Sequence, residues 1–195
     1  MMTFPTIRPP VEPDISAPPA TSCCPLPAVF EWPRHPSGLV LVLYTTRPDG
    51  SAPAIEALVA ELREAGLGTM LVDLAAGPAG KTLQRAPALL LEVHATRVMD
   101  WVAREASLAS LAVGVVGVNG VTAATLSAAR ASSRAEAVVI WGGQPGEAAD
   151  ALAGLKAPAL VADPGSKSAA HWVAVWLVHH LALEPAWRRA REARR

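Results

Sequence analysis

Asn119 stands in a stretch whose residue types and spacing could carry chemistry. Residues 111–126 read LAVGVVGVNGVTAATL, an apolar run, a glycine-rich turn at Gly117, Val118, Asn119 and Gly120, and then a helical pattern. Two kinds of site share that strand–turn–helix layout. In a dinucleotide-binding turn, glycines let the backbone approach a pyrophosphate; in a nucleophile elbow, a sharp bend thrusts one side chain outward. The glycines at 114, 117 and 120 do not follow G-x-G-x-x-G spacing, and no acidic residue follows at a strand end about twenty positions on. An elbow residue must attack an electrophile, yet the carboxamide of Asn119 cannot be deprotonated into an attacking oxygen at neutral pH.

The remaining reactive side chains are scattered. Cys23 and Cys24 are adjacent, so they build no disulfide framework and lack the second pair of a structural zinc site. His35 lies in a proline-rich stretch, His94 on an apolar helical stripe, and His179 and His180 inside the final helical pattern, where histidines are more often packing or surface residues than bases. Neither a metal nor a cofactor is implied. Ligands of open parallel sheets gather beyond the C-terminal strand ends, which selects Thr45, Thr46, Asp73, Gly117 to Gly120, Trp141 to Gln144 and Asp163 to Lys167.

The elements that must hold these positions are legible as alternating apolar runs and helical stripes, the pattern of a parallel sheet with crossover helices. Strands are expected at Leu39–Tyr44, 69–73, 111–116, 137–141 and 158–162. Between them, Ser51 caps a helix with Ile55, Leu58, Val59 and Leu62 on one face and Gly66 at its end. Pro87 opens a second helix whose stripe is Leu90, Leu91, His94, Val98, Trp101 and Val102. Further helices are expected at 122–130, 148–155 and 168–183. The fold class is α/β, with a mainly parallel sheet and helices on both faces.

Residues 1–36 hold ten of the 18 prolines and are expected to form an extended, polyproline-like arm outside the domain, with the domain proper at 37–183 and an Arg-rich helix or tail at 184–195. Residues 106–129 carry no charge, which raises a membrane span; Asn119, the glycines and the Ser/Thr residues favour strand, turn and buried helix instead. The chain has 17 basic and 17 acidic side chains, so no global electrostatic footprint for nucleic acid exists. With no basic-then-apolar leader and no disulfide pattern, a cytoplasmic setting is expected.

Longer stretches carry a resemblance. LVLVLYTTRPDGSAPAIEALVAELREAGLGTMLVDL, VMDWVAREASLASLAVGVVGVNGVTAATLSAA and AEAVVIWGGQPGEAADALAGLKAPALVADPG together resemble the dienelactone-hydrolase-like group of α/β hydrolases, over roughly residues 38–183. The markers are Asp100-Trp101 before the elbow strand, Gly142-Gly143 followed by Pro145, and Lys156-Ala157-Pro158 entering a strand. The resemblance implies a G-x-S-x-G elbow, a His-Gly after the first strand, an aspartate after the last parallel strand and a histidine beyond a further strand. Here Asn119 holds the serine's place, Val121 the second glycine's, Thr45-Thr46 the His-Gly, and Lys167 the acid's. The further strand is missing, and His171 is a remnant of the histidine at most. Val121 puts the close strand-to-helix packing of an elbow in question.

The expectation is therefore a catalytically degenerate, truncated α/β-hydrolase-like domain, an accessory or structural subunit binding protein partners in a homo- or hetero-oligomer. Its alternatives are an active hydrolase with relocated residues and a small-ligand module using the vestigial cleft. Candidate partner-binding residues are Phe4, Ile7, Phe30 and Trp32 in the arm and Trp172 and Trp176 on the last helix. The stripe of Trp172, Trp176, His180, Leu183 and Trp187 packs on the sheet or, if the missing strand bares that region, anchors a partner.

Overall fold

A computed structural model describes residues 26, 28–45, 52–76, 83, 86–143, 152–166 and 168–183. Six strands run β1 (Ala28–Glu31), β2 (Leu39–Tyr44), β3 (Gly68–Asp73), β4 (Val113–Val118), β5 (Ala135–Trp141) and β6 (Ala159–Ala162). They form one sheet in the order β1-β3-β2-β4-β5-β6, in which only the β1–β3 pair is antiparallel. The helices are α1 (Ala52–Glu64), α2 (Ala88–Arg104), α3 (Thr122–Ala131) and α4 (Ala169–Val178).

The unbroken apolar runs of β2 and β4 follow from burial on both faces. Leu39, Leu41 and Leu43 point into one core with Leu91, Val98 and Met99 of α2 and Ala124 of α3, while Val40 and Val42 point into the other with Leu58 and Leu62 of α1 and Val173 and Leu177 of α4. The expected stripe of α1 is buried as read, at Ile55, Leu58, Val59 and Leu62. Residues 106–129 are a 3₁₀ turn, a strand and a helix start. Among the described residues no helix is long and apolar enough to cross a membrane.

Three expectations are corrected. The sheet begins at Ala28, nine residues before the expected domain start at 37: AVFE pairs antiparallel with β3, Ala28 opposite Val72 and Glu31 opposite Thr69. An edge strand needs only one row of ladder bonds, so a proline close after it, Pro33, costs little. Phe30 and Trp32 consequently pack inside the domain. Phe30 meets Trp101 edge-on at 6.3 Å, and the Trp32 ring lies against the Cα of Gly68.

The elbow strand lies two residues later than expected, because neither glycine within it turns the chain. Gly114 faces Leu177 and Leu181, and Gly117 faces Thr125 on the opposite side. Finally, the last helix is not uniform: α4 ends at Val178 and His179–Leu183 form a π turn. Phe4, Ile7, Cys23, Cys24, Ser51, Thr46, Lys167, Trp187, most of the expected helix at 148–155 and the tail at 184–195 lie outside the described residues.

Candidate functional site

The C-terminal strand ends converge on the turn between β4 and α3. A Cβ on Gly117 would strike the Thr125 side chain, so the missing side chain is what lets α3 lie close on β4. Val121 does not prevent that packing. Its side chain is fully buried in the core beneath α2 and α3, filling space instead of holding the helix off.

At the tip, Asn119 is the one non-glycine residue among those described with a positive φ, at 52°. Asparagine tolerates that region better than most residues because its short polar side chain compensates locally. The Asn119 main-chain oxygen accepts from the Thr122 N–H and, at 3.0 Å, from Thr122 Oγ1. Its carboxamide oxygen reaches toward Gly142, whose own φ is 78° and whose Cα approaches so closely that any Cβ there would collide with it. Gly142-Gly143 thus let the end of β5 close against the elbow.

Around the tip stand Tyr44 and Asp73, cross-strand neighbours at the ends of β2 and β3. Asp73 is buried and its Oδ1 accepts the Ala75 N–H at 2.9 Å, so it is tied into its own turn. The Tyr44 phenol is pushed above its ordinary value of 10.0, first by burial and then by the charge of Asp73. Trp141, at the end of β5, is buried with its Nε1 lacking a hydrogen-bond partner.

Asp163 and His171, the acid and the histidine that lie nearest in sequence to those the resemblance implies, each make a contact of their own. Asp163, directly after β6, accepts the Gly165 N–H at 2.9 Å in a local turn. His171 Nδ1 sits 3.1 Å from Glu61 Oε2, bridging α4 to α1 on the protein's exterior. His94 is buried, with Nδ1 donating to the Leu74 carbonyl at 2.8 Å, and the His180 ring lies against Trp176 at 4.4 Å and meets the His179 ring edge-on. Residues 163–168 lead from β6 straight into α4, leaving no place for a further strand. Phe30 and Trp32 are packed in the domain, as above. Trp172 is 64% exposed and Trp176 half-buried, because α4 turns Val173, Ala174 and Leu177 to the sheet instead. The Glu61–His171 pairing, between residues 110 positions apart, had no signal in the sequence.

No family model matches the chain, and no curated protein matches it. Solved structures do. A dienelactone hydrolase from Anabaena variabilis ATCC 29413 superposes with a TM-score of 0.63 at 21% identity, over 80% of this chain and 92% of that one. This is the α/β-hydrolase fold. An esterase described as cold-adapted, from an Arctic intertidal metagenomic library, superposes at 0.56 with 14% identity, over 80% of this chain and 88% of that one. Est1E from Butyrivibrio proteoclasticus with bound ferulic acid follows at 0.52 with 15% identity, over 62% of this chain and 49% of that one. The dienelactone-hydrolase-like architecture read from the sequence is therefore the observed one, and Asn119 stands at the tip of its β4–α3 turn.

Proposed function

We propose that this chain is a non-catalytic domain on the α/β-hydrolase fold, acting in the cytoplasm as an accessory or structural subunit that binds protein partners in a homo- or hetero-oligomer. The observation that carries the reading is Asn119 at the elbow tip with φ 52°, a geometry kept where a nucleophile would sit but occupied by a carboxamide. Loss of coupled partners supports it, since each member of a nucleophile–base–acid set depends on the others: His171 is paired to Glu61, and Asp163 to its own turn. The partner surface has two parts. One is the proline-rich segment 1–25, whose preset φ lowers the entropy lost on docking and whose Phe4 and Ile7 supply apolar anchors. The other is the outer face of α4, where Trp172 and Val175 are exposed.

Turnover of an activated ester by the purified chain tests the first half. The expected result is a rate no higher than that of Asn119→Ala. Saturable turnover lost in Asn119→Ala overturns it and favours the second reading, an active hydrolase with relocated residues, which the esterase and hydrolase names of the similar structures support.

A further inference from the structure

The elbow carries a dipeptide whose own reactivity owes nothing to a bound substrate. Asn119 is followed by Gly120, and it is the only asparagine in the 195 residues. The carboxamide carbon of an asparagine is an electrophile, and the next backbone nitrogen can close a five-membered ring on it. A glycine in that next position removes the side chain that would crowd the attack. In ordered helices and strands the backbone holds the two atoms apart, which is why most folded asparagines persist.

At this turn the backbone does the reverse. Asn119 has φ 52°, Gly120 is not at positive φ, and the residues form a tight 3₁₀ turn, Asn119–Val121. Positive φ followed by negative φ is the type II′ arrangement, whose first central residue has ψ near about −120°. At that ψ the Cα–Cβ bond of an L-residue eclipses the peptide bond to the next nitrogen, so Cγ of Asn119 and N of Gly120 lie on the same side, a χ1 rotation from bonding. The hydrogen bonds at Asn119 run to its main-chain oxygen, while its carboxamide oxygen lies against Gly142, a contact without a side chain. Asn119 is partly exposed and Gly120 exposed, so water reaches both.

We infer that Asn119-Gly120 is a self-modification site, at which the elbow geometry drives conversion of the carboxamide to a carboxylate. The Gly120 nitrogen gives its proton to solvent base and bonds to Cγ. The Cγ–Nδ2 bond breaks and the amide nitrogen leaves as ammonia. Water then opens the cyclic imide at either carbonyl, leaving aspartate or isoaspartate at position 119. One water is consumed, one ammonia is released, and no other reactant is needed. The encoded carboxamide beside Gly142 becomes a negative charge. This goes beyond the proposed function, which concerns the encoded asparagine, and either can fail alone.

The experiment follows the tryptic peptide 105–130 by mass spectrometry during incubation of the full chain at mildly alkaline pH, folded and in concentrated urea. That peptide contains Asn119 and no other amide side chain, and the mass change of NH2 to OH separates it from isomerisation at Asp49-Gly50, which changes no mass. The expected result is conversion at least about tenfold faster in the folded chain, because a held near-attack geometry removes part of the entropic barrier. A folded rate equal to or below the unfolded rate overturns the inference. Asn119→Gln, which would need a larger ring, should leave the peptide unchanged; the same mass change in that variant overturns it too.

Discussion

Gly117 and Thr125 meet at the contact on which the elbow depends, and both predict measurable effects. Gly117→Ala forces a Cβ into Thr125 and should cost about 1–3 kcal/mol, as overpacking does. Thr125 Oγ1 is itself buried without a partner, so Thr125→Val, nearly the same shape without the unpaired hydroxyl, should stabilise by about 1 kcal/mol. Urea denaturation of both variants reads the two signs. Tyr44 makes the third prediction at this scale. Burial and Asp73 raise its pKa above 10.0, so below that pH folded and unfolded chains both keep the proton. Above it, the unfolded chain loses the proton first, and stability falls until the folded phenol also ionises. Tyr44→Phe should flatten that alkaline decline in a stability–pH series, and an unchanged decline would show that another group causes it. The conformation of Asn119 was legible in the sequence because few residues besides glycine accept positive φ and an Asn-Gly pair stood at a strand end. The pairing of His171 with Glu61 was not, because a contact across that separation is decided by how α1 and α4 pack.

Helix α4 shows what periodicity does and does not decide. AAHWVAVWLV carries no acidic or basic residue other than His171, so apolar positions occur on all sides and a stripe cannot be assigned to the sheet from spacing alone. Val173 and Leu177 are buried, whereas Trp172 stands out into solvent. Leu177→Ala should therefore cost about 2–5 kcal/mol, while Trp172→Ser should change the isolated chain by less than about 0.5 kcal/mol. A loss at Trp172 comparable to that at Leu177 would mean that α4 is rotated from the orientation described. By contrast, β2 was plain in the sequence, since six consecutive apolar residues fit a strand covered on both faces. The π turn at His179–Leu183 escaped notice because HHLAL has no feature that distinguishes one more helical turn from a wider one.

For the molecule as a whole, the mainly parallel sheet and the helices on both faces were readable from the alternation of patterns, but its first edge was not, since AVFE lies hidden among prolines. That changes where the chain can be cut. Removing residues 1–25 should leave thermal unfolding unchanged while abolishing co-assembly with partners, whereas removing residues 1–32 also strips β1 and the Trp32 ring from Gly68 and should lower the midpoint by several degrees. Equal co-assembly of the shorter truncation and the full chain would reduce the segment to a tether. The opposite edge has a different consequence. Strand β6 spans four residues, with Pro158 before it and Pro164 two residues after it. A sheet that stops one strand early offers a row of unpaired amides as a template for aggregation, and short length with flanking prolines is how natural edges are blunted. The truncation is thus tolerable: the fold could shed a strand without becoming a seed for fibrils, and replacing both prolines by valine should make the domain precipitate on standing faster than the unaltered chain.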